Sequence, residues 1–181
     1  MKQIPKLSNI IVLFLLCFSC SPKLNDKEKA NKLLADVRQI AMQKQMSVED
    51  FKLKLQRIKK SKDDFPSSRN EIKEDVIEIL TFMESEIQNN NKVIDKYKEL
   101  SNFNLAKPEA DCLEVEIKLT SKYVENHEIG INRYKLFINE EIRDKETLTS
   151  QLSALKEKSD DLDKEVNLLR QQEIYKCAGK K

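Results

Sequence analysis

Glycine occupies only two positions in this chain, 130 and 179, and proline only four, 5, 22, 66 and 108. Average usage over 181 residues would give about 13 and 9. Sandwiches, barrels and doubly wound α/β folds need a turn roughly every 8 to 15 residues, built largely from Gly, Pro, Asn and Asp. A chain with so little of this punctuation does not fit those classes. Its charged fraction of 35%, its 6% aromatic content and its lack of Trp point instead to solvent-washed helices. The expected fold is all-α: an elongated bundle of about three helices, the last of them a long coiled-coil helix.

At the start of the chain, Lys2 and Lys6 precede the apolar run Ile10 to Phe18, and Ser19 and Ser21 then flank Cys20. This is the layout of a signal peptide. Nine apolar residues in a helix cover about 14 Å, roughly half a bilayer's hydrocarbon core, so export and cleavage are expected rather than a membrane span. The segment Leu16-Cys17-Phe18-Ser19-Cys20-Ser21 resembles the lipobox of bacterial lipoproteins, in which a small residue precedes the acylated Cys. The resemblance covers residues 1–21. It implies removal of residues 1–19, acylation of Cys20, a short anchor linker over 20–24, and attachment to a bacterial membrane in the cell envelope. Two or three acyl chains anchor stably where one does not, each buried CH₂ contributing about 0.8 kcal/mol. The alternative is a soluble, exported helical binding or chaperone-like module without a lipid anchor.

Without Lys2 and Lys6, the 33 basic residues become 31, equal to the 31 acidic ones. A nucleic-acid binder would carry a basic excess, so no nucleic-acid partner is expected. The remaining prolines divide the chain into three helical stretches. Residues 25–107 read as a helical hairpin. Asn25 or Asp26 caps its first helix, a break falls near Gln45 to Ser47, and Ser47 with Asp50 marks a new start. Ser68 and Glu71 form a capping box after Pro66. The third stretch opens at Pro108, followed by Glu109 and Asp111, acids that complement the helix dipole.

Alternating steps of 4 and 3 from Leu113 trace a heptad seam that includes Leu148, Leu152, Leu155, Leu162, Val166 and Leu169. The pattern predicts one continuous helix over 108–176, with a tail at 177–181, a polar interruption at Glu141 and Lys145, and at most a bend at Gly130. Folding the first two helices against its first half gives an up-down-up bundle. Residues 148–176 then have no intrachain partner. They are expected to pair with a second copy or another protein, or to fold back on the bundle.

Lysines and arginines at 52, 54, 57, 59, 60 and 62 face acids at 71, 74, 75, 78, 84 and 86 on the next helix. Internal complementarity is expected there rather than contact with lipid. With His127 as the one histidine, neither a Ser-His-Asp triad nor a two-histidine metal site can be assembled. No Gly supports a calcium loop around Asp160, Asp161 and Asp163. No enzyme activity, cofactor or metal is expected. Cys112 and Cys177 are either free thiols on a continuous helix or a disulfide. The first follows from the absence of Gly, Pro or Asn at Asp144 and Lys145; the second needs a reversal there, or an antiparallel dimer.

Overall fold

The computed structural model describes residues 24–42 and 46–177. The leader 1–19, the anchor Cys20 and the tail beyond Cys177 lie outside the described residues, as does most of the break expected near Gln45. Among the described residues there are five helices and no strand. They are α1 (Leu24–Met42), α2 (Val48–Ser61), α3 (Arg69–Ser101), α4 (Lys107–Ile138) and α5 (Lys145–Cys177). The all-α class is therefore observed, but the count exceeds three and the continuous helix over 108–176 is not formed.

Residues 139–144 interrupt that helix. The amide of Glu141 donates to Asn139 Oδ1 at 3.0 Å, and the amide of Ile142 donates to the Asn139 carbonyl at 3.2 Å. Such local side-chain bonding offers the backbone an alternative to the helix. Asp144 then caps α5, its carboxylate accepting from the Thr147 amide at 2.7 Å and the Thr147 hydroxyl at 2.9 Å. These bonds hold its carboxyl below the usual aspartate range. The reversal is secured from a distant element, because the Arg69 guanidinium donates to the Ile142 carbonyl and Ile142 itself is buried. An Asx turn and an N-cap thus do the work of the missing Gly or Pro.

The chain forms two units. Among the described residues, the first comprises 24–42, 89–122 and 165–177; the second comprises 46–88 and 123–164. Helices α3, α4 and α5 each contribute one segment to either unit. In the first unit, Ala30, Leu34 and Val37 of α1 share a core with Val93, Tyr97 and Leu100 of α3 and Leu113 of α4. In the second, Ile58 of α2 and Val76 and Ile79 of α3 pack with Ile131 and Phe137 of α4, Ile142 and Leu148.

Within the second unit, α2 and α3 pair antiparallel. Lys54 Nζ reaches Glu78 at 3.0 Å, and Arg57 meets both oxygens of Asp75 at 2.5 Å. Both pairs are symmetric about Pro66, as a hairpin turning there requires. Two of the expected basic–acidic complements thus form. Ser47 caps α2 by accepting from the Asp50 amide at 3.1 Å. The capping box expected at Ser68 and Glu71 does not form. Instead the Ser68 hydroxyl donates to the Ser61 carbonyl at 2.7 Å, joining the Asp64 amide, which donates to the same oxygen at 3.2 Å, at the end of α2.

Gly130 lies inside an unbroken α4, where a Cβ would stand 2.9 Å from Cε at the flexible end of the Met83 side chain of α3.

The seam is covered from within the chain. Leu148, Leu162 and Val166 are buried, Leu152, Leu155 and Leu169 are half-buried, and Leu152 packs on the core that contains Leu148. Residues 148–176 therefore do not stand without an intrachain partner, because the reversal brings α5 back onto its own chain.

Candidate functional site

Helix geometry places residues four apart on one face. Cys112 and Glu116 therefore share a face of α4, and Glu173 and Cys177 share a face of α5. The two pairs are mirror images about the junction of Asp144 and Lys145, where the reversal ends and α5 begins, so antiparallel pairing sets Cys opposite Cys and Glu opposite Glu. The salt bridge from Lys122 to Glu165, at 2.9 Å, follows the same antiparallel register to within two residues. Cys112 and Cys177 are joined as a disulfide, with Cα atoms 4.9 Å apart across a sequence separation of 65. The expectation of two free thiols on one straight helix fell with that helix.

Glu116 adjoins the disulfide: one of its carboxylate oxygens and the two sulfurs lie within 4.8 Å of one another. It is only 7% exposed, and its Oε1 has no hydrogen-bond partner. Burial, followed by the nearby Glu173 carboxylate, pushes its pKa up to about 7. Glu173 is also buried; desolvation raises its pKa, and Arg170 offsets part of that rise. Tyr97 of α3 completes the surroundings, its phenol held well above the usual tyrosine range by burial and then by the charges of Glu116 and Glu173. A disulfide, a buried carboxyl poised near neutrality and a second carboxyl thus lie together at this end of α4 and α5.

Only the cysteines of this group were singled out from the sequence as a site. Glu116 reads there as one more acid on a charged helix, and Glu173 as a polar position on the seam. The signal that finds them is the mirrored spacing Cys-x-x-x-Glu and Glu-x-x-x-Cys, which acquires meaning once α4 and α5 are antiparallel.

The other chemistry-bearing residues are dispersed. His127 is half-buried and its Nδ1 lies 2.7 Å from the Tyr123 carbonyl; a carbonyl only accepts, so the proton sits on Nδ1. Glu86 nearby has its pKa raised by burial, an effect that His127 moderates. Asp160, Asp161 and Asp163 are exposed, two of them paired with Lys156 and Lys164. No helix among the described residues is long and apolar enough to cross a membrane. Toward the end of α5, Leu168, Ile174 and Tyr175 are exposed.

Comparison with protein-family models, with curated proteins and with solved structures finds no match to this chain.

Proposed function

We propose that this protein is an exported, non-enzymatic helical lipoprotein, held on a bacterial membrane through acylated Cys20 and acting as a protein-interaction module through residues 148–176. The observation that carries the reading is the intrachain disulfide between Cys112 and Cys177. Disulfides persist in oxidising compartments outside the cytosol, which accords with the signal-like leader and the lipobox-like segment ending at Cys20. Acyl chains would supply the membrane attachment that no described helix can provide by spanning.

The interaction surface in this reading differs from the bare seam. Leu148, Leu162 and Val166 are used internally, whereas Leu168, Ile174 and Tyr175 remain available on the last turns of α5. A protein partner or a second copy is the occupant this apolar group would suit.

Metabolic labelling with a radioactive fatty acid tests the anchor. Label is expected on the chain and on the Cys17→Ser variant and should vanish in Cys20→Ala. An unlabelled chain, or label that survives Cys20→Ala, would overturn it.

A further inference from the structure

The mirrored pairs on α4 and α5 bring together residue types that bind metals. A spacing of four is how a single helix presents two ligands to one ion, as in the H-E-x-x-H motif. Here two antiparallel helices each present one sulfur and one carboxylate. Cys112 Sγ, a Glu116 carboxylate oxygen and Cys177 Sγ already lie within 4.8 Å of one another. Glu116 is 7% exposed and its Oε1 meets no donor. A buried carboxylate oxygen without a partner is costly, and a cation at that point would satisfy it.

We propose that the dithiol form of this protein binds one thiophilic divalent cation of the Zn²⁺ class through Cys112, Glu116 and Cys177, with water completing the tetrahedral set. Two thiolates favour Zn²⁺ over Mg²⁺ or Ca²⁺, which take oxygen ligands. Binding to the dithiol forms two metal–sulfur bonds and releases two thiol protons to solvent, with no change of oxidation state.

The disulfide form has no thiolate to offer. Opening it takes two electrons from a thiol or phosphine reductant, which becomes a disulfide or, with an oxygen from water, a phosphine oxide. Zn–S bonds of about 2.3 Å in a tetrahedral site set the sulfurs roughly 3.8 Å apart, so they must separate from their bonded position. Cys177 is the last residue of α5, where the helix has least to hold it and can yield. Disulfide and metal site are thus alternative states of one pair of sulfurs.

The test uses the full chain carrying Cys17→Ser and Cys20→Ser, so that Cys112 and Cys177 are the only thiols. After phosphine reduction, Zn²⁺ is titrated against a chromophoric chelator. Reduced chain is expected to take one equivalent, and oxidised chain none. Cys112→Ser or Cys177→Ser should abolish retention, and Glu116→Gln should weaken it by at least the roughly 10- to 100-fold that loss of an outer-shell partner costs. Circular dichroism shows whether each variant is folded. Co²⁺ added to the reduced parent supplies a readout free of mutation, a thiolate-to-cobalt charge-transfer band of tetrahedral type. Absence of that band, no stoichiometric uptake by the reduced parent, or uptake equal in folded Glu116→Gln overturns the proposal.

Discussion

Glu116 shows what burial does to a single carboxyl. Its ordinary pKa of 4.5 is raised to about 7 in the folded chain. An acid whose folded pKa lies above its unfolded value stabilises the fold relative to high pH only while it is protonated. The folded state is therefore unpenalised below about 4.5, loses stability between 4.5 and 7, and stays at the lower level above. For the oxidised, metal-free chain, urea unfolding is expected to show this decline. Glu116→Gln should flatten most of it and raise stability at pH 8 by up to about 3 kcal/mol. A residual slope in the same direction belongs to Glu173 and Glu86, whose pKa values are also raised. Equal slopes in parent and variant would contradict the assignment. The sequence disclosed the two cysteines but not this carboxyl, because an acid on a helix with many charges announces no burial. Only a neighbouring helix can desolvate it.

At the scale of the element, local chemistry was well legible. Ser47 capped α2 as its spacing to Asp50 suggested, and the α2–α3 charge complement emerged as Lys54–Glu78 and Arg57–Asp75. Where an alternative partner competed, the reading failed: Ser68 gave its hydroxyl to Ser61 rather than to the first turn of α3. The apolar residues of the predicted seam are covered, and by the last of the three occupants the sequence allowed, the chain itself. Leu148 is fully buried in the chain's own core, so Leu148→Ala is expected to cost about 2–5 kcal/mol. Half-buried Leu155 should cost clearly less when truncated. Chemical denaturation checks this, and the loss at Leu148 should not depend on protein concentration. A strong concentration dependence would return the seam to an intermolecular role.

The whole chain owes its closure to contacts far apart in sequence. The Cys112–Cys177 bond closes a loop of 65 residues, which in the chain-entropy description removes about 4 kcal/mol of denatured-state freedom. Reduction without metal is accordingly expected to lower the denaturant midpoint by a corresponding amount. The far-ultraviolet signature of helix should persist before the transition, since each unit keeps its own apolar core. An unchanged midpoint after complete reduction would show that the bond contributes nothing to stability.

The amino-acid sequence alone determined that this chain is helical. Scarce Gly and Pro, apolar residues at helical spacing and capping side chains all act within a turn or two, where they need no other part of the molecule. It also determined that α5 must cover an apolar face. Which surface covers that face, and which residues meet the sulfurs, was decided by tertiary structure. The reversal at 139–144 rests on an Asx turn at Asn139, on burial of Ile142 and on a hydrogen bond from Arg69, 73 residues away. A periodic pattern states that a helical face must be buried. Only the balance of such distant contacts settles whether the partner is another chain or the same one.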